Sequence, residues 1–442
     1  MRRSAHMSRR TAALATTAAL LTGLLAGCAD DGGGSDRGDS GESTDGKKTV
    51  TIGVFGVFGY KQAGLYDEYQ KLNPDVVIKE TSIERADQYY PQLLTHLGTG
   101  SGLQDIQAIE VGNIAETVTR HADKFVDLGR EKGVDEKNWL DWKWAQATAE
   151  DGRTIGLGTD VGPMAICYRK DLFEKAGLPT DREKVGALWA GDWEKYVETG
   201  EKYMEKAPSG TVYTDTAIGL FNASVSGRVE RYYDRGGELI YKDSPAVKDS
   251  WDLAMRAVEG KMTARLKQFD KPWDQAYANG RFATVACPAW MLGYIKEKAG
   301  PKAADKWDIA PAPKPANWGG SFLSVPEAAK NKEEAVKLAA WLTAPEQQAK
   351  LFGKQASFPS SPATYEMPEV ADARHEYFGD APIGEIFSQA AEDMPTLVLG
   401  EKDLAIQTAF TDVGVLQVEQ QGKSPEAGWD AALKNIDNLL DQ

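Results

Sequence analysis

The chain has 442 residues, 42% hydrophobic and 26% charged, with 12 Trp and 16 Tyr, a globular composition too long for a single core. Its formal charge of −15 becomes −19 once a leader holding Arg2, Arg3, Arg9 and Arg10 and no acid is set aside. An acidic surface of that size argues against nucleic acid or an anionic lipid surface as partner, since both are polyanions.

After the basic start comes an apolar run, Thr11 to Leu25, shorter than the roughly 20 residues a membrane-crossing helix needs. A charged segment, a short apolar segment and small residues are the layout of a secretory signal. Leu25-Ala26-Gly27-Cys28 reads as a bacterial lipobox, with residues 1–27 a signal peptide and lipid on Cys28. The expectation is export, with anchorage to the outer face of the cytoplasmic membrane. Residues 28–48 complete the lead-in: after Cys28, residues 29–48 are rich in Gly, Ser and Asp, without Val, Ile, Leu or aromatic residues, which predicts a flexible linker.

The body opens with strand Val50–Phe55, a helix over Lys61–Leu72, strand Val76–Glu84, a helix over Ala86–Leu97, strand Asp105–Val111 and a helix over Ile114–His121. This alternation predicts a parallel sheet covered by helices. A connector with Trp139, Trp142 and Trp144 follows, and the pattern restarts with strand Met164–Tyr168 and a helix over Asp171–Ala176. Then come helix Trp193–Lys206, strand Ala217–Phe221, a helix through Val225–Arg235, and helices Ala246–Lys261 and Asp274–Asn279. Strand Phe282–Cys287 and helix Trp290–Lys298 close this second unit. The stiff Ala310-Pro-Ala-Pro-Lys-Pro315 reads as a crossing between lobes rather than part of either core. A short strand Phe322–Val325 and a helix with Ala335, Leu338, Ala339 and Leu342 on one face come next. The last helix has Ser424 as N-cap, Pro425 at its first position and the stripe Trp429, Leu433, Ile436, Leu440.

Catalytic signatures are missing from the sequence: no His-Glu-x-x-His, no Gly-x-Ser-x-Gly and no phosphate loop. Gly98-Thr-Gly-Ser-Gly102 follows a predicted helix rather than a strand, so it reads as a helix stop and not a phosphate cradle. With 66 acids, a glycosidase-like carboxylate pair is not ruled out by counting. The four His (His6, His96, His121, His375) are scattered, so no metal or other cofactor is expected. Cys167 and Cys287 sit in two predicted strands that could be neighbours, either bridged or as buried thiols.

Open α/β sheets bind ligands beyond the carboxyl ends of their strands. There this chain offers Phe58 and Tyr60, then Glu110 and Asn113, then Asp160, then Asn222, Ser226 and Arg228, with Trp273, Trp290, Trp318 and Gly320 later. Flat rings beside carboxylates and amides suit a sugar, whose C–H faces lie on aromatic rings and whose hydroxyls both donate and accept. Core packing for the Trp residues, and helix-capping or surface roles for Glu110 and Asp160, are the competing readings. Trp341 and Trp429 lie on helical stripes and belong to the core.

Several ordered segments resemble the extracellular solute-binding proteins of ABC sugar importers, the family that contains maltose-binding protein. They are Asp105-Ile-Gln-Ala-Ile-Glu110, Ala165–Phe173, Asn279–Trp290, Gly319-Gly-Ser-Phe-Leu-Ser-Val-Pro326 and Ala335–Gln347, and with the lipobox they span nearly all the mature chain. Trp142-Lys-Trp144, Gly158–Tyr168, Asp181–Val185, Leu188-Trp189, Phe282–Trp290 and Asn317–Phe322 look closest to actinobacterial cello-oligosaccharide-binding lipoproteins. The resemblance implies an α/β, two-lobed, periplasmic-binding-protein-like fold with hinge strands between lobes. By position, the lobes would be 49–163 plus 318–356 and 164–317 plus 357–442. It also implies a monomeric, non-enzymatic receptor that takes cellobiose or cellotriose into the interlobe cleft and delivers it to membrane permease subunits. Xylo-oligosaccharides or another β-glucoside, a peptide or polyamine, and a surface glycoside hydrolase are the alternatives.

Overall fold

A computed structural model describes residues 46–441; the expected signal peptide, Cys28 and most of the linker lie outside the described residues. Strand β1 (Lys48–Phe55) buries Val50, Ile52 and Val54 at every second position, the strand period that the sequence pattern predicts. It pairs in parallel with β2 (Val76–Ile83) and with β3 (Ile106–Glu110). Beyond β3 the sheet adds β9 (Ser321–Ser324) and then β4 (Leu157–Gly158), giving the order β2-β1-β3-β9-β4. A second sheet runs β6-β7-β5-β8, made of β6 (Val212–Thr214), β7 (Phe282–Pro288), β5 (Met164–Arg169) and β8 (Trp307–Pro311).

The sheets are mixed, not parallel as the strand–helix alternation predicts. β9 is antiparallel to β3 and β4, and β5 is antiparallel to β7 and β8. Both are the strands that enter a sheet directly from the other lobe, without the helical crossover that parallel pairing needs.

Along β5, Met164, Ile166 and Tyr168 enter one core and Ala165 and Cys167 the other, so this strand is buried on both faces. Helix Trp193–Glu205 covers the first face, while helices Lys271–Asn279 and Met291–Ala299 cover the second. Cys167 and Cys287 form a disulfide across β5 and β7, with Cα atoms 5.7 Å apart. The C-terminal helix Pro425–Leu440 begins as the sequence predicts, with Ser424 Oγ accepting from the Ala427 amide.

Three segments differ from the sequence expectation. Ala217–Phe221 is the start of a helix, Ala217–Val225, capped by Thr216 Oγ1 accepting from the Ile218 amide. All nine of its residues are buried, and a helix with no polar face reads like a buried strand. Val225–Arg235 forms turns rather than a helix beyond Val225; Tyr233 bridges Leu239 antiparallel, and the Asp234 carboxylate accepts from the Gly236 and Glu238 amides. Within the Pro-rich stretch, Ala310 and Pro311 belong to edge strand β8, opposite Ile166 and Ala165, and only the residues after them cross. Lys48, counted in the linker, opens β1.

The chain crosses between sheets three times, and the crossings lie side by side. Val161 bridges Phe358 and Pro163 bridges Asn317, both antiparallel. The Trp318 amide donates to the Gly162 carbonyl (2.9 Å), and the Gly162 amide donates to Asn317 Oδ1 (2.8 Å). A Cβ on Gly162 would sit 1.9 Å from the Trp318 carbonyl oxygen, so no side chain fits there. Gly162→Ala must force the crossings apart; we expect a loss of about 3 kcal/mol or more of stability, read by urea unfolding, and a stability within 1 kcal/mol of wild type would refute this close approach.

Candidate functional site

The crossings deliver two groups of side chains to one place, joined by Trp318-Gly319-Gly320. The polar group stands on the first lobe. Glu110 ends β3 opposite Ser321 of β9, and its carboxylate caps helix Val111–His121 by accepting from the Gly112 amide (2.6 Å). Asp160, just past β4, accepts from Thr159 Oγ1 (2.6 Å) and from the Ser321 amide (2.9 Å).

Between them lies Lys143, from the short helix Asp141–Gln146. It is completely buried, its ammonium 3.8 Å above the Phe322 ring and without a hydrogen-bond partner among the described residues. Gly320 (φ 102°) leaves room for it, since a Cβ there would stand 3.0 Å from Lys143 Nζ and 2.7 Å from the Asp160 carbonyl. The Tyr60 hydroxyl is also buried and without a partner among the described residues, with the Asp160 charge nearby.

From the second lobe, Arg231 pairs with Asp403 at 2.5 Å, both buried, and its charge reaches Glu110. Arg231 Nε and Asp403 Oδ2 have no partner among the described residues. Native proteins leave few buried polar atoms unsatisfied, and here four such groups surround one cluster.

Burial governs the charges. It pushes the Glu110 carboxyl up to about 7, against the opposing pull of the Gly112 amide and Lys143. It raises Asp160 too, and it lowers the Lys143 ammonium to about 8 although both carboxylates hold its proton on. The cluster therefore places donors and acceptors side by side in a poorly hydrated setting, where each hydrogen bond to a ligand counts for more.

The apolar group lies against the second lobe, where Trp318, at the end of a crossing, packs on the core that holds Met164 and Ala310. The Trp290 and Trp318 rings meet edge to face at 6.3 Å, and Trp290 Nε1 donates to the Trp318 carbonyl (2.8 Å). Both are part-exposed. The lobes touch on either flank: Arg85 faces Asp270 at 3.6 Å, Arg120 pairs with Glu401, and Leu404 packs on Gly112.

Other sequence candidates fall elsewhere. Trp273 is wholly buried, its indole N–H given to Asp215, so it backs the aromatic shelf instead of facing outward. Phe58 packs between Phe55 and Tyr60. Asn113 is buried in the helix that Glu110 caps. Asn222 and Ser226 were placed after a strand that is in fact the buried helix; Asn222 accepts from Gln407, and Ser226 is buried at the helix end. Arg228 turns to the surface and pairs with Asp249.

Sequence reasoning missed Lys143, Arg231 and Asp403. The one signal for Lys143 was its position between Trp142 and Trp144. A surface recess of about 520 Å³ lies apart from this cluster, beside Tyr241, Lys242 and Asp437. Among the described residues no group of three His, Cys, Asp or Glu could hold a metal, and no helix is long and apolar enough to cross a membrane.

Residues 64–377 match the bacterial extracellular solute-binding protein family, and the chain belongs to that family. A solved structure of an extracellular solute-binding protein of family 1 is 40% identical, with a TM-score of 0.78 over 88% of this chain and 99% of that one. The arabinooligosaccharide-binding protein of Halalkalibacterium halodurans is 24% identical over 80% of this chain and 81% of that protein. The ABC transporter associated binding protein of B. animalis subsp. lactis Bl-04, in complex with β-1,6-galactobiose, shares the fold at 20% identity, with a TM-score of 0.75 over 89% and 97% of the two chains. The expected two-lobed α/β class is the one found, and the chain is a binding protein, not an enzyme.

The raised Glu110 has a consequence for stability. Between pH 4.5 and about 7 the folded protein keeps a proton that the unfolded chain has released, so this group costs stability as pH rises through that window. Glu110→Gln removes the cost. The stability of wild type minus that of the variant should fall by about 2–3 kcal/mol from pH 5 to 7.5. Thermal unfolding of both across that range checks it, and parallel curves would refute it.

Proposed function

We propose that this protein is the solute-binding component of an ABC sugar importer, that it captures cello-oligosaccharides between its lobes, and that it passes them to membrane permease subunits. One observation carries the reading. Three consecutive residues, Trp318-Gly319-Gly320, join an aromatic shelf packed against one lobe to a part-buried Lys143–Glu110–Asp160 cluster on the other. A pyranose needs this pair of surfaces: its C–H face on a ring, and its vicinal hydroxyls between a cation and carboxylates.

Support comes also from the binding partners named for the relatives, an arabino-oligosaccharide and a β-1,6-galactobiose. The lobes are taken as 49–163 with 318–356 and 164–317 with 357–442. β9 in the first sheet and Phe358 to Met394 in the core behind the second support that division, while Trp318, Ala349, Phe352 and Ala356 of the first share also reach the second lobe's cores. Lipid on Cys28 would tether the receptor beside its permease. Closure is favoured because only the closed form contacts the sugar from both lobes.

Calorimetric titration and thermal shift with cellobiose, cellotriose, xylobiose and maltose test the cargo. Cello-oligosaccharides should bind and, at 100 times Kd, stabilise by about 2.7 kcal/mol. A response to xylobiose alone would reassign the sugar, and no response to any of the four would refute the sugar reading. Trp318→Ala should weaken binding tenfold or more with little change in melting temperature; unchanged binding would make this Trp a packing residue.

A further inference from the structure

Phe269, in the turn before helix Lys271–Asn279, plays no part in the site described so far. Its φ is +67°, a left-handed conformation that a bulky side chain rarely adopts. Its side chain is 39% exposed, where every other aromatic side chain among the described residues is buried or part-buried. It nonetheless belongs to the shelf. Its ring lies near-parallel to Trp290 (centroids 6.3 Å apart, planes 29°) and contacts Trp273 at 5.0 Å and Tyr294 at 5.9 Å.

The turn is gripped from both sides. Buried Gln268 donates Nε2 to Asp215 Oδ2 (2.9 Å), the same oxygen that takes the Trp273 indole N–H (2.9 Å). On the other side, Asp270 faces Arg85 of the first lobe, so the ring stands where the two lobes meet. Backbone strain persists only where the surroundings over-determine it, and such positions cluster at ligand clamps.

We propose that Phe269 is a further sugar platform, which extends the Trp290–Trp318 shelf by one pyranose toward the lobe junction, and that Asp215 is its positioning residue, acting through Gln268. This rests on the sugar reading above and adds chain length to it: the Phe269 ring offers a C–H-binding face to a third unit of a β-linked oligosaccharide. Cellotriose should then outbind cellobiose, and Phe269 should carry the difference.

The experiment is titration of the mature protein and its variants with cellobiose and cellotriose, alongside thermal melts. Phe269→Gly removes the ring and suits the left-handed backbone. The expected result is an equal or higher melting temperature, a tenfold or larger loss for cellotriose, and less than a threefold loss for cellobiose. Phe269→Tyr should restore cellotriose binding to within threefold. Asp215→Asn, or Gln268→Ala should that variant not fold, should shrink the cellotriose-to-cellobiose ratio. Wild-type cellotriose affinity in Phe269→Gly, or equal loss of both sugars with a lower melting temperature, overturns the platform while the sugar reading stands. A ratio unchanged in both Asp215→Asn and Gln268→Ala overturns the positioning role. A wild-type protein that binds neither sugar overturns the sugar reading and this proposal with it.

Discussion

Everything around the candidate site depends on one steric constraint, the approach of two crossing segments at Gly162. Backbone lies against backbone there, with the Trp318 amide on the Gly162 carbonyl and the Asn317 amide oxygen returning to the Gly162 amide. The same segments carry Asp160 on one side and Trp318 to Gly320 on the other. The connection between the lobes and the proposed ligand surface are therefore one stretch of chain. A shift in the crossing angle moves the shelf and the carboxylates together, which is how hinge motion can be coupled to ligand contact without any relay.

The electrostatic design is costly in the free protein. A lysine without a hydrogen-bond partner among the described residues and two carboxylates held above their usual pKa range are each disfavoured by burial. Their mutual attraction offsets part of that cost, and a polyhydroxylated ligand would offset more by supplying the missing hydrogen bonds. Binding of this kind trades intrinsic stability for affinity, as sites with strained or unsatisfied groups commonly do.

Much of this was legible in the sequence, and the failures have physical reasons. β1, β2, β3, β5 and β7 stand out because their apolar residues alternate or run continuously between turn signals. Ala217–Phe221 misleads because a helix buried all round leaves no period to read, and the candidates Asn222, Ser226 and Arg228 were placed by that error. β4 and β6 are too short, at two and three residues, to show any period. Glu110, Asp160, Trp290, Trp318 and Gly320, which the fold brings together, are legible as candidates because strand ends and turn glycines mark themselves. Lys143 was not, since a lysine is read as exposed until the fold surrounds it. Arg231 and Asp403 meet across 172 residues, a pairing that no local pattern announces.

The strand order has a consequence for how the molecule comes together. β9 sits between β3 and β4, yet the whole second sheet is encoded between Gly158 and Ser321. As the chain emerges end first, β4 has no neighbour to hold it, and the first sheet stays in two pieces until residues 321–324 arrive. Such nesting defers completion of the first sheet until residue 324 of 442 is present, and its long-range pairing is slow to form. The two sheets are therefore not completed in the order they begin: the second has all its strands in hand while the first still waits for β9.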